Sequence, residues 1–596
     1  MANKFASRKT IDFLVNEVFD VASLNRFPYF EDHNAETIKM TIDTAMKIST
    51  DLMFPYFKEM DTNPPHWEDG KVYVHDAIKP FLKEMGEGGW INVEKPYDSG
   101  GQQLPFTIKE IAYFLFGAAN YSMHVYPMLT AGAGNLIYHF GSQEMKDMYL
   151  EKMYSGEWQG TMALTEPDVG SSLGDLTTSA EPTDNGYYLI KGKKIFISAG
   201  NSQHVSNTIH LMLARIKGAP EGVPGISLFV VPEQRIGDNG EFDVWNDCSI
   251  AGIEHKLGYK GSPICQLSMG DEKDCRGWLV GEAGKGLAMM FKMMNEERVN
   301  VGIGAMSKIS GAYYAALEYA HDRKQGRLPD QKGGPMVPLI KHADIKRMLM
   351  LQKAVLEGSL ALAVQTSLYQ DLELVGENKE ENALLADFLT PILKTYPSEM
   401  GILACSAAIQ IHGGYGYCGD FPVEQYYRDI RIDPIHEGTT YIHGQDILAR
   451  KVSMQNGKAF KLFQAEIDKV VVEAKKFAEL DKNVKQLEAA LLLMNELTDE
   501  LYAKKANISK EAFQADAVLY LELMGNITIA WQWLKQMVVA QAKLNSGSTD
   551  KAFYEGKIIT GRYFFEYELV KIHSLAIRLR SDEKVTIEMT DENFED

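Results

Sequence analysis

The spacing of apolar residues changes twice along this chain, and that change limits the architectures open to it. From about Thr37 to Met153 apolar residues recur at helical spacing, as in "TIKMTIDTAMKISTDLMFPYF". Between Gly160 and about Gly281 the texture becomes short β-rich runs broken by turn residues: "YYLIKGKKIFISAG", "HLMLARI", "GISLFVVPE", "FDVWNDC" and "ICQLSM". No helical pattern separates these runs, so an antiparallel β domain is expected rather than βαβ crossovers. Helices return from Ala288 to about Met454, and the block from Asn456 to Arg580 is helical again, as in "VKQLEAALLLMNELTDELYAKK". The expected fold class is mostly α with an inserted antiparallel β domain. The expected domains are 1–159, helical; 160–287, β; 288–455, a helical bundle; and 456–596, a helical extension with an acidic tail.

Composition agrees with several domains. The 596 residues exceed the roughly 250–300 at which one hydrophobic core stops growing. With 45% hydrophobic and 24% charged residues the chain can bury large cores, which excludes disorder throughout. The net charge of −20 opposes the phosphate attraction on which nucleic-acid binding depends, so no nucleic-acid partner is expected. The five cysteines (Cys248, Cys265, Cys275, Cys405 and Cys418) form no CxxC pair, so free thiols and no metal site are expected. The start "MANKFASRKTIDFLVNEVF" lacks a signal-type apolar run, and no stretch reaches the ~18 apolar residues of a membrane span. A cytoplasmic protein is expected. The run "ITIAWQWLKQMVVAQ", Ile527 to Gln541, suits either peripheral membrane contact or a bundle core, and its weakly basic flanks favour the core. The tail "SDEKVTIEMTDENFED" reads as solvated.

Four stretches carry chemistry. In "GTMALTEPDVGSSLGDL", Gly160 to Leu176, a strand feeds a loop of small residues whose backbone N–H groups and hydroxyls suit a pyrophosphate or a polar ring edge. In "GKKIFISAGN" the alternation of a strand puts Phe196 and Ser198 on one face, an aromatic beside a donor. In "QIHGGYGYCGDFPVEQYYRDIR", Gly413 and Gly414 permit close backbone approach and Gln410 offers an amide. "DPIHEGTTYIHGQDILARK" sets Glu437 between an apolar turn and a glycine, ahead of a helix. Taken singly, each has a plain reading: a turn, an edge strand, a helix end, an acid favoured by a helix dipole. "GEAGKGLA" lacks the GK[ST] ending of a phosphate loop and reads as a turn into the helix at Leu287.

In this order and at these separations, the four stretches resemble the acyl-CoA dehydrogenase family of flavoproteins, across roughly Thr37 to Met454. The extra C-terminal block resembles the extended members, such as very-long-chain and methylthiopropionyl-CoA dehydrogenases. The resemblance implies bound FAD, an acyl-CoA substrate, and Glu437 as the base that takes the Cα proton while hydride leaves Cβ for flavin N5. It implies that Thr165 and Ser198 bond the isoalloxazine, with Phe196 where the family usually has tryptophan, and that Ser171 lies near the pyrophosphate and the substrate. Gln410, Gly413 and Gly414 then meet the adenosine end, Thr439 and Tyr441 the cofactor, and Arg298 and Gly438 the acyl-CoA. Arg323 reaches the FAD of a neighbouring subunit, which implies a homodimer. The implied role lies in fatty acid metabolism, in β-oxidation, with electrons passing to an electron-transfer flavoprotein.

The chain departs from the family at Ser172, where aspartate is usual, at His436, where tyrosine is common, at Phe196, and at Asn295, where the family often has an acid. These departures bear on which acyl chain fits. A thioester α-proton is weakly acidic, so the base needs its pKa raised by an apolar pocket. Ile435 and Gly438 flank Glu437 without a cation that would hold it down, whereas His436 could alter it or simply pack. The segment "ANYSMHVYPMLTAGAG" is expected to line the far end of the acyl pocket. The alternatives are an acyl-CoA oxidase that uses oxygen and a non-catalytic relative that binds DNA or a partner.

Overall fold

The computed structural model describes residues 4–237, 242–330 and 333–595. Its contacts divide the chain into two compact units. One comprises Met1–Lys39, Pro105–Phe114 and Arg298–Asp596, and the other Met40–Leu104 and Leu115–Glu297.

The second unit holds the β domain. Its main strands are β1 (Trp158–Ala163), β2 (Ser179–Pro182), β3 (Tyr188–Ser198), β4 (Asn207–Ile216), β5 (Ile226–Pro232), β6 (Cys248–Ile253), β7 (Ile264–Met269) and β8 (Arg276–Val280). Pairing runs β3 to β8, β8 to β5, β5 to β4, β4 to β2 and β2 back to β3, which closes a barrel. Closure removes the exposed strand edges that an open sheet would present. β4 and β5 lack an apolar and polar alternation because nearly every residue in them is buried. Most pairs are antiparallel, but β1 and β2 both run parallel to β4, a pairing between distant segments without a helical crossover. A small hairpin, His66–Glu68 with Lys71–Tyr73, sits within the N-terminal helical block. Its turn is Asp69-Gly70, with both residues at positive φ, the conformation a two-residue hairpin requires.

The first unit is helical, built around a hairpin of long helices, Ala343–Val375 and Lys379–His412. The C-terminal extension joins it through the helix Ala517–Asn545. A Cβ at Gly358 would lie 2.6 Å from Ile529 and 2.8 Å from the Trp533 Nε1, so only glycine admits this helix so closely. The Trp533 indole donates to the Ala354 carbonyl at 3.0 Å and Lys535 to the Gln365 amide oxygen at 2.8 Å. Lys535 and Gln536, which donates to the Glu357 carbonyl at 3.3 Å, are thus spent on bundle partners, and the helix is a core element. Among the described residues no helix is long and apolar enough to cross a membrane.

The N-terminal residues pack with this extension, which is why the first unit gathers both ends of the chain. Phe13 meets Phe553 edge-on at 5.5 Å. Buried Glu357 pairs with Lys353 and, at 3.0 Å, with buried Lys557, and accepts from Thr10 Oγ1 at 3.3 Å. One carboxylate therefore serves two ammonium groups. Glu357→Ala strands both, and we expect it to lower stability by about 3–5 kcal/mol. Denaturant unfolding followed by tryptophan fluorescence checks this; a change under about 1 kcal/mol would contradict it.

Candidate active site

In the second unit, the strands bring two of the sequence motifs together. Lys194, fully buried on β3, donates to the Leu164 carbonyl at 2.9 Å and to Glu166 Oε1 at 2.9 Å. Glu166 also accepts from the Thr177 N–H at 2.6 Å, the Thr177 hydroxyl at 2.7 Å and the Thr178 N–H at 2.9 Å. Both ends of the 165–177 loop are thereby fastened to one carboxylate. Burial pushes the Glu166 carboxyl up, but Lys194 and these hydrogen bonds outweigh it and hold it at about 2. Burial lowers the Lys194 ammonium to about 8.

The same strut sets the neighbouring residues. The Thr165 carbonyl accepts from the Ile195 N–H at 2.9 Å. Between the pairs Cys265 with Ile197 and Leu267 with Lys194, the two residues Ile195 and Phe196 face Gln266 alone, which is a β-bulge. Phe196 sits there at φ 59°, with 57% of its surface exposed. Thr165 and Ser198 are half-buried, and Ser171 and Ser172 are exposed. An exposed ring beside two hydroxyl-bearing residues, with a Gly170 whose Cβ position faces open space, suits a planar heterocycle and a phosphate chain. The segment from Ala119 to Gly134 is buried and helical apart from a kink at Asn120, and a Cβ at Gly134 would lie 2.6 Å from the Tyr154 ring, so this glycine serves close packing.

In the first unit, Glu437 adopts φ 53° and Gly438 φ 89°. A left-handed glutamate costs about 1–2 kcal/mol and persists only where its surroundings fix it. His443 Nε2 lies 3.1 Å from the Glu437 carbonyl, and Lys394 Nζ donates to the Gly438 carbonyl at 2.8 Å. The Thr440 N–H closes the loop on the Pro434 carbonyl at 3.1 Å. Burial and nearby cations push the His443 imidazole down to about 3, so it is neutral, and the carbonyl it faces requires the proton on Nε2. Lys308 and Asp433, both buried, pair at 2.7 Å beneath the same loop.

The Glu437 side chain is half-buried, and burial raises its carboxyl above the ordinary carboxylate range. Contrary to expectation, two cations oppose the rise. Arg298 and Lys394 come from distant helices and pull it down without cancelling the burial. His436 contributes no charge: burial, Lys394 and Lys308 hold it at about 3, with Asp433 3.6 Å away. The result is a fixed carboxylate, more basic than a solvated one.

The remaining site residues of this unit are more dispersed. Thr439 is half-buried at the N-cap of helix Thr440–Gln445, and Tyr441 is exposed on it. Gln410, Gly413 and Gly414 end the helix Lys379–His412, and Gln410 lies about 24 Å along its axis from Lys394. Gly413 takes φ 61°, and the Cβ positions of both glycines face open space. Arg323 is exposed just past the helix Gly286–Asp322, its carbonyl accepting from the Leu339 N–H at 2.8 Å. Sequence reasoning missed Glu166, Lys194, Lys394 and His443. The one available signal was a lysine amid apolar residues, in "KIFI" and "ILKTY", where a buried partner is needed.

Comparison with known proteins gives four matches in succession. Residues 36–157 match the acyl-CoA dehydrogenase N-terminal domain, 161–271 its middle domain and 284–452 its C-terminal domain. Residues 463–590 match the domain described as acetyl-CoA dehydrogenase C-terminal like. A butyryl-CoA dehydrogenase of Syntrophomonas wolfei is 33% identical over 94% of both chains. A 3-methylmercaptopropionyl-CoA dehydrogenase of Ruegeria pomeroyi is 34% identical over 93% of this chain and 95% of its own. An acyl-CoA dehydrogenase of Bacillus anthracis, solved in complex with FAD, shares the fold with a TM-score of 0.73 over 98% of this chain and 93% of its own, at 22% identity.

Proposed function

The chain belongs to the acyl-CoA dehydrogenase family, and on that basis we propose that it converts an acyl-CoA thioester to the trans-2-enoyl-CoA with FAD as cofactor. The observation that carries the reading is Glu437: a carboxylate held in a strained backbone conformation, tied at its own carbonyl and at that of Gly438, with a raised pKa. Glu437 takes the α-proton, and its backbone N–H donates to the thioester oxygen as charge develops there. Arg298 and Gly438 line the acyl-CoA. When bound, FAD supplies the acceptor for the hydride that leaves Cβ. Thr165, Ser171, Phe196 and Ser198 would hold it, and Gln410, Gly413, Gly414, Thr439 and Tyr441 are assigned to FAD binding as well. Arg323 serves the FAD of a second copy, so the working form is a homodimer.

The relatives named for butyryl-CoA and 3-methylmercaptopropionyl-CoA support short, unbranched chains as substrates. Electrons then pass to an electron-transfer flavoprotein in a β-oxidation sequence. Turnover of butyryl-CoA in air tests this. The expected result is reduction of added electron-transfer flavoprotein with little oxygen consumed; oxygen uptake matching product formed would make the protein an oxidase.

A further inference from the structure

The segment that carries Glu437 is held from behind by the C-terminal extension, at three points within the same unit. Helix Thr440–Gln445 runs directly into a π-helical turn, Asp446–Lys451. Gly444 lies backbone to backbone against the start of the extension helix Ala517–Asn545. A Cβ there would stand 2.8 Å from the Ala517 carbonyl carbon and oxygen and 2.9 Å from the Val518 nitrogen. Backbone at that distance cannot yield as a flexible side chain does. Next to it, Gln445 Nε2 donates to the Gln514 Oε1 at 3.1 Å.

The third point is Tyr502, on the extension helix Asp481–Lys505, whose hydroxyl donates to the Leu448 carbonyl at 2.6 Å. In a π turn a carbonyl accepts from the N–H five residues on, as Ile447 does from Val452 at 3.1 Å, and Tyr502 gives the Leu448 carbonyl a donor from outside the turn. The Tyr502 ring is itself fixed edge-on against Phe513, 5.6 Å away. Beside Leu448 lies a cavity of about 210 Å³, lined also by Leu501, Phe513 and Leu579. The turn therefore has room to shift if it is released.

Gly444 follows His443, whose imidazole bonds the Glu437 carbonyl at 3.1 Å. One residue meets the extension and its neighbour meets the base. We propose that the C-terminal extension is a positioning element of the active site: Tyr502 and the Ala517–Val518 backbone fix the Thr440–Lys451 segment, and through His443 they fix Glu437. This rests on the reading of Glu437 as the base. Tyr502 acts through the segment and is a positioning residue. The charged groups that act on Glu437, Arg298 and Lys394, are left in place when Tyr502 is changed.

The test is Tyr502→Phe in the flavin-loaded protein, with Gly444→Ala as the severer variant and Glu437→Gln in parallel. Butyryl-CoA is the probe. Loosening the segment admits water beside Glu437 and reduces the burial that raises its pKa. For Tyr502→Phe we expect kcat to fall about ten- to hundredfold, with KM and flavin content unchanged. The acid limb of the kcat profile moves to lower pH, and amides 438–451 exchange with deuterium faster while the β domain does not. A Tyr502→Phe protein with wild-type rate, acid limb and exchange overturns the proposal, provided Glu437→Gln is inactive. If Glu437→Gln stays active, the base assignment itself falls, and the proposal with it. Should Gly444→Ala fail to fold, Tyr502→Phe decides alone, since it removes one hydroxyl and no packing.

Discussion

Glu437→Gln is expected to keep its FAD and bind acyl-CoA, yet reduce the flavin at least about a thousandfold more slowly than wild type. The amide is nearly isosteric, so the left-handed backbone and the bonds to His443 and Lys394 remain, while the group that accepts the α-proton is gone. In the wild type the active form is the carboxylate. Activity must therefore rise with pH through the pKa of Glu437, and because burial raises that pKa, the rise lies above the pH at which a solvated carboxylate titrates. Stopped-flow reduction across a pH series measures both. A Gln variant that bleaches within tenfold of wild type would exclude Glu437 as the base.

The second large effect is expected at Glu166. Glu166→Ala removes the acceptor for four hydrogen bonds and leaves buried Lys194 with only the Leu164 carbonyl. Stranding a buried charge costs about 3–5 kcal/mol, and here the strain falls on the loop proposed to hold FAD, so the variant is expected to be isolated without flavin. Lys194→Met should cost less, because Glu166 keeps its three bonds from Thr177 and Thr178. Acid reproduces the effect reversibly. The Glu166 pKa in the folded protein, about 2, lies below that of the unfolded chain, so its stabilisation is complete above roughly pH 5 and is lost as pH falls toward 2. The flavin content of the two isolated variants reads this order, and flavin fluorescence of the wild type on acidification reads the acid effect. Equal flavin loss in both variants would mean that the strut does not hold the loop.

The helix, β, helix order was legible because it depends on local periodicity, and Glu437 stood out as a candidate because its motif is contiguous. The hairpin at His66–Tyr73 was not, since strands of three residues carry too little pattern, although its Asp69-Gly70 turn is a recognisable signal. The parallel pairing of β1 and β2 with β4 joins segments distant in sequence, which local patterns cannot specify. The bulge at Phe196 hides in a run that alternates correctly on either side of it. Arg298 was named for the acyl-CoA, but its pull on Glu437 was hidden for the same reason as Lys394 and Tyr502: Arg298 and Lys394 lie 139 and 43 residues earlier, and nothing near the EGT motif shows which cations reach the carboxylate.

The proposed reaction is dehydrogenation of an acyl-CoA on FAD through this chain's own carboxylate. Anaerobic titration of the purified, flavin-loaded protein with butyryl-CoA, 3-methylmercaptopropionyl-CoA and branched acyl-CoAs tests it most directly. A short unbranched chain is expected to bleach the oxidised flavin band in proportion to substrate added, with the trans-2-enoyl-CoA recovered. A flavin-loaded protein whose band survives every thioester would contradict it.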